Sequence, residues 1–176
     1  SNDDIIFVGD SLTDHCEWSE LFQEMRLKNR GIGGDTTAGL LNRLNDVVAS
    51  QPRKLFIMIG INDLLSGVAV EQILANYRKI IELVQKRTPN TNLYLQSVLP
   101  VKHSFYYGEK TNDQIKRLND KLQVLSRELN IQFIDLHALF ADPTGQLSSR
   151  YSRDGLHLNG SGYLLWKNAI EKYVKN

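Results

Sequence analysis

Two stretches at opposite ends of the chain carry side chains that could share a reaction. Gly9-Asp10-Ser11-Leu12 follows the apolar run Ile5-Ile6-Phe7-Val8, which puts a serine hydroxyl on the first turn after a strand-like segment. Far downstream, Asp154-Gly155-Leu156-His157 offers a carboxylate and an imidazole three residues apart. A serine hydroxyl is a weak nucleophile at neutral pH, so it needs a base within hydrogen-bond reach and a third group to hold that base's tautomer. The spacing allows Asp154 to fold back onto Nδ1 of His157 in one tight turn, leaving Nε2 to face Ser11. Acyl transfer also needs donors where negative charge develops on the tetrahedral intermediate. Three are available: the Ser11 amide at the start of a helix, the Gly34 amide with no side chain to shield it, and the side-chain NH₂ of Asn62. Taken singly, each residue has an ordinary alternative. Glycine and small polar residues collect in turns, Asp154 beside Gly155 suits a surface turn, and His157 could cap the last helix. Their joint occurrence points to a hydrolase that acylates its own serine.

Positioning these groups falls to strands and helices that alternate along the chain. Ile5 to Val8, Leu55 to Ile59, Leu93 to Val98 and Ile131 to Ile134 are short apolar runs, with Leu27 to Asn29 as a very short fifth candidate. Continuous apolarity suits strands covered on both faces, as in a parallel sheet. Helical period links Leu40, Leu44, Val47 and Val48; then Val70, Ile73, Tyr77, Ile80, Ile81 and Val84; then Ile115, Leu118, Leu122, Leu125 and Leu129. A last helix carries Trp166, Ala169, Ile170 and Tyr173. Asp35 or Thr36, Thr111 or Asn112, and Ser161 are the candidate caps. The alternation predicts an α/β doubly wound parallel sheet of about five strands, in which ligands bind beyond the C-terminal strand ends. Ser11, Gly34, Asn62 and His157 all fall in segments that could meet on that edge.

At 176 residues the chain reads as a single domain, 1–176, long enough to bury about 70% of its unfolded surface. Its 21 basic and 20 acidic residues leave a net charge of +1, so nothing marks it for nucleic acid or an anionic membrane surface. A small-molecule ester is the expected partner, and a homo-oligomer is permitted. Cys16 is the only cysteine, which excludes an internal disulfide and leaves the compartment open. No stretch approaches the roughly 18 apolar residues of a membrane span. The expectation is a soluble chain, cytoplasmic by default, although the start at Ser1-Asn2 is compatible with a removed signal sequence.

Together these stretches resemble the SGNH or GDSL-type esterases and acylhydrolases. The first block of that family matches Gly9-Asp10-Ser11-Leu12 and the second matches Asn29-Arg30-Gly31-Ile32-Gly33-Gly34-Asp35-Thr36. The third matches Gly60-Ile61-Asn62-Asp63 and the last Asp154-Gly155-Leu156-His157. All four occur in order, and the likeness covers residues 4 to about 174. It implies a flavodoxin-like three-layer α/β/α sandwich, with Ser11, Asp154 and His157 catalytic and Ser11, Gly34 and Asn62 forming the oxyanion hole. Gly34 is preferred to Gly33 because it directly precedes Asp35-Thr36, as the family's oxyanion glycine tends to. The stretch from Asn29 to Leu44 is especially similar to bacterial relatives of the platelet-activating-factor acetylhydrolase catalytic subunits, which implies short acyl groups, acetyl among them. A Gly-x-Ser-x-Gly elbow is absent from the sequence.

The substrate is less legible. Trp18, a turn or two past Ser11, and His103, Tyr106 and Tyr107, after the third long strand candidate, are the residues expected to rim the pocket. The sequence shows no lid insertion, so short esters of a polar alcohol such as a sugar are expected. The acyl-enzyme cycle calls for no metal and no organic cofactor. The four histidines show no ligand spacing, and neither a phosphate-binding loop nor a dinucleotide fingerprint occurs. Two alternatives carry the same residues: an O-acyltransferase of the same fold and a non-catalytic binding module.

Overall fold

The structure, a computed structural model, describes residues 2–103 and 109–175. Five parallel strands form its sheet: β1 (Ile5–Gly9), β2 (Leu27–Gly31), β3 (Lys54–Met58), β4 (Asn92–Gln96) and β5 (Gln132–Ile134), in the order β2-β1-β3-β4-β5. That is the flavodoxin-like order, and it puts the strand reversal beside β1, whose C-terminal end leads to Ser11. β1 is in register with both neighbours, Gly9 facing Gly31 on one side and Met58 on the other.

Helices cover both faces, as the unbroken apolarity of β1 and β3 requires. Ile6, Val8, Leu55 and Ile57 pack with α3 (Thr37–Val48), α4 (Ile61–Leu65), α5 (Val70–Arg87) and α6 (Glu109–Glu128). Ile5, Phe7, Phe56 and Met58 point the opposite way, toward α1 (Ser11–Asp14), α2 (Trp18–Phe22), α7 (His137–Phe140) and α8 (Gly160–Lys175). Among the described residues no helix is long and apolar enough to cross a membrane.

The structure departs from the sequence reading at several ends. β2 runs two residues further than Leu27 to Asn29, because as an edge strand it is only half-buried and carries Lys28 and Arg30 on its open side. Thr36 caps α3, its side chain accepting from the Gly39 amide. α6 begins at Glu109, so Thr111 and Asn112 lie inside it; Asn112 instead bonds both the amide and the carbonyl of Val101, at 2.9 and 2.7 Å. Ser161 likewise lies within α8, where Asn159 Oδ1 accepts from the Gly162 amide at 3.1 Å. The far end of α8 is held by buried Lys54, whose Nζ donates to the carbonyls of Tyr173 and Val174 at 2.8 and 3.0 Å. A lysine is well placed there, since the last carbonyls of a helix lack partners of their own.

Candidate active site

The chain turns sharply at the end of β1. Asp10 is the N-cap of α1, its Oδ1 accepting from the Leu12 amide at 3.0 Å, and this sets Ser11 as the first residue of the helix. The turn is tight enough that two facing glycines are needed. A Cβ on Gly9 would stand 2.2 Å from the Met58 carbonyl oxygen, and one on Gly31 would stand 2.3 Å from the Asp14 amide. Asn29 braces the same turn, donating Nδ2 to the carbonyls of Thr13, Asp14 and Cys16 while accepting from the Gly31 amide. Asp10 is 1% exposed, and burial pushes its carboxyl up to about 7 against the pull of the Leu12 amide.

Ser11 Oγ lies 3.0 Å from His157 Nε2, across 146 residues of chain. On the far side of the ring, Nδ1 lies 2.7 Å from Asp154 Oδ2. Asp154 is held in turn by its own loop: Oδ1 accepts from the amides of Leu156 and His157 at 2.9 and 2.8 Å and from Ser152 Oγ at 3.2 Å. Burial would raise its carboxyl, but the two amides and the imidazole outweigh that and hold it well below the usual carboxylate range. An ionised Asp154 at Nδ1 keeps the proton there and leaves the Nε2 lone pair for the serine.

The loop that follows β2 joins the end of β1 by a backbone hydrogen bond. The Ile32 amide donates to the Gly9 carbonyl at 3.0 Å, and the Asp35 amide to the Ile32 carbonyl at 3.1 Å, which makes Ile32 to Asp35 a turn. Gly34 occupies its third position with φ +77, where a side chain is strained, and nothing lies within 4 Å of where its Cβ would be. Asn62, on the first turn of α4, donates Nδ2 to the Asp35 carbonyl at 2.9 Å, which ties its side chain to the residue that follows Gly34. Its neighbour Asp63 is buried and accepts from the amide and hydroxyl of Thr37 at 2.9 and 2.6 Å, tying α4 to the start of α3.

Arg43 was not legible as a site residue. Its Nε donates to Asp35 Oδ2 at 2.8 Å, Nη1 to the Arg30 carbonyl at 2.9 Å and Nη2 to the Gly9 carbonyl at 3.3 Å. One guanidinium thus straps together the ends of β1 and β2 and the loop carrying Gly34. The only sequence signal was its place eight residues after Asp35, two helical turns into α3. His15 was also missed; its ring centroid is 5.1 Å from that of His157.

The pocket candidates fare differently. Trp18 does not line the site: it is 1% exposed, stacks on Phe7 at 4.4 Å, meets Trp166 edge-on at 4.9 Å and donates Nε1 to the Thr13 carbonyl. Its bulk is core, because α2 is a separate short helix turned down onto the sheet. His103 is half-buried beside the Asp154 turn, where the Lys102 amide donates to the Gly155 carbonyl. Among the described residues its ring makes no hydrogen bond or ring contact with Ser11 or His157. Tyr106 and Tyr107 lie outside the described residues. Cys16 is no rival nucleophile: burial pushes its thiol up to about 12, with Glu17 adding to the shift.

The GDSL-like Lipase/Acylhydrolase family model matches residues 7–165. Over 170 residues the chain is 31% identical to the platelet-activating factor acetylhydrolase IB subunit alpha2 of Rattus norvegicus, covering 91% of this chain and 71% of that protein. A solved structure from Streptococcus pneumonia, 32% identical, superposes with a TM-score of 0.89 over 99% of this chain and 85% of its own. Axe2, an acetylxylan esterase from Geobacillus stearothermophilus, superposes with a TM-score of 0.82 over 99% of this chain and 94% of its own; at 20% identity that likeness shows the fold.

Proposed function

The chain belongs to the GDSL-like lipase/acylhydrolase family and is an enzyme that hydrolyses ester bonds, and from this we propose that Ser11 is the nucleophile of an acyl-enzyme cycle on short-chain, acetyl-type esters. One observation carries the assignment: Ser11 Oγ, His157 and Asp154 stand in line at 3.0 and 2.7 Å. In that cycle Ser11 Oγ attacks the ester carbonyl carbon as its proton passes to His157 Nε2, and Asp154 stabilises the imidazolium that results. The carbonyl oxygen becomes an oxyanion held by the amides of Ser11 and Gly34 and by Asn62 Nδ2. Collapse of the intermediate breaks the bond to the alcohol oxygen, which takes the proton from His157. Water then attacks the acyl-enzyme by the same route, releasing the acid and restoring the serine.

The acyl preference draws on the 31% identical relative named as an acetylhydrolase. It is tested with p-nitrophenyl esters of increasing acyl length, for which activity falls beyond the shortest members. The Ser11→Ala variant loses hydrolysis by a factor on the order of 10⁶ and no longer reacts with a fluorophosphonate probe. Activity retained by that variant in a clean preparation removes Ser11 from the role. Product analysis with an added acceptor alcohol separates hydrolysis from acyl transfer.

A further inference from the structure

Beside the imidazole of His157 the two ends of the α1–α8 layer leave a groove of about 500 Å³. Leu21 of α2 and Tyr163 and Leu164 of α8 supply its apolar walls, while His15, Glu17 and Glu20 stand along it from the α1–α2 segment. Leu164 is 51% exposed, an apolar side chain left open to solvent next to a polar site. The groove is continuous with the centre: the His15 ring touches that of His157, and Gly160 lines both the groove and the hollow at His157.

We propose that this groove is the subsite for the leaving alcohol, and that it selects apolar alcohols without negative charge. The proposal rests on the assignment of Ser11 and His157 given above. Two halves of the site fall on opposite layers of the fold. The Gly34 loop and Asn62 lead into α3 and α4, so the carbonyl oxygen is drawn toward that layer. His157 leads into α8 on the other face, and the leaving oxygen must come within hydrogen-bond reach of its Nε2 to be protonated. The substituent on that oxygen therefore extends past the imidazole toward His15 and the groove.

The lining decides the chemical class. Leucine side chains and the Tyr163 ring reward an aryl or alkyl group through burial. The Tyr163 hydroxyl already donates to the Leu12 carbonyl at 2.9 Å, so its ring is the part left for the alcohol. Two carboxylates on the same rim repel an anionic alcohol.

The test keeps the acyl group constant and varies the alcohol: methyl acetate, benzyl acetate and 4-(acetoxymethyl)benzoate. Methanol and benzyl alcohol are of similar acidity as leaving groups, so a difference between their esters reports binding. Wild-type kcat/KM is expected to be highest for benzyl acetate. Leu164→Asp lowers kcat/KM for benzyl acetate by about tenfold and leaves methyl acetate within about twofold; because Leu164 is exposed, the fold survives the change. Glu20→Gln raises turnover of the carboxylate-bearing ester alone. An equal loss on methyl and benzyl acetate in Leu164→Asp, or a wild-type kcat/KM no higher for benzyl than for methyl acetate, overturns the proposal. Methyl acetate hydrolysis surviving in Ser11→Ala would instead sink the catalytic assignment, so the two failures are told apart.

Discussion

Asp154→Asn tests whether the carboxylate does more than hold a turn. The amides of Leu156 and His157 both donate to Oδ1 of Asp154, at 2.9 and 2.8 Å. An asparagine carbonyl takes over those two bonds, so its NH₂ is left facing His157 Nδ1 at the 2.7 Å position now held by Oδ2. Two donors cannot share that contact. The imidazole must shift its proton to Nε2, which then points a hydrogen at Ser11 and cannot accept one. Where this tautomer is enforced in a buried triad the loss reaches about 10⁴ in kcat, equivalent to about 5.5 kcal/mol. Here the Asp154 side chain is 56% exposed, so water competes for Nδ1 and part of the productive tautomer survives. The expected loss in kcat is therefore about 10²–10⁴. Steady-state kinetics with p-nitrophenyl acetate measure it, beside circular dichroism to show the fold intact. A kcat within threefold of wild type would refute the reasoning, because the turn is preserved and only the tautomer changes.

Three further outcomes follow from the geometry. Asn62→Ala lowers kcat by about 10²–10³ with little change in KM, and a pure KM effect in steady-state kinetics would remove Asn62 from oxyanion stabilisation. For Asp10, burial lifts the folded-state value to about 7, above the ordinary carboxylate value of 3.8, so the folded protein binds the proton more tightly; its burial carries no such cost below about pH 4, where both states are protonated, and the cost grows as pH rises toward 7 and is complete above it. Asp10→Asn, which keeps a capping oxygen for Leu12, should therefore raise the melting temperature more at pH 8 than at pH 4, and an equal change at both pH values would contradict a buried, proton-favouring carboxyl. Gly9→Ala drives a methyl against the Met58 carbonyl at 2.2 Å in the middle of the sheet, and chemical denaturation should show a loss of about 1–3 kcal/mol or more.

The network around Arg43 ties together the segments that carry the proposed oxyanion donors. Asp35 receives the guanidinium on its side chain and Asn62 on its backbone carbonyl, so the loop after β2 cannot shift without moving both. The same guanidinium reaches the Gly9 carbonyl, one residue before the Asp10 cap that sets Ser11. Preorganised donors of this kind do not have to reorient as charge develops, which is the condition under which they accelerate acyl transfer.

Much of this protein was legible before any coordinates. Unbroken apolar runs named the strands, because a strand covered on both faces has no polar side to show, and the 3.6-residue period named α3, α5 and α6. The flavodoxin-like order matched the family resemblance, and the order of the four blocks brought Ser11, Gly34, Asn62, Asp154 and His157 into view together. These are features of local pattern, set within a few residues of each position. What lay beyond reach was whatever depends on residues far apart in the chain. Trp18 read as a pocket wall but packs inside, since nothing local says that α2 turns down onto Phe7 and Trp166. Asn112 read as a cap, yet its amide serves Val101 eleven residues away. Arg43 and His15 acquire their places only when α3 crosses the strand ends and the loop before α8 returns over α1. Local pattern thus determined the elements and the reactive side chains, while packing of the two helical layers decided which side chains meet, because those contacts join segments with no shared periodicity.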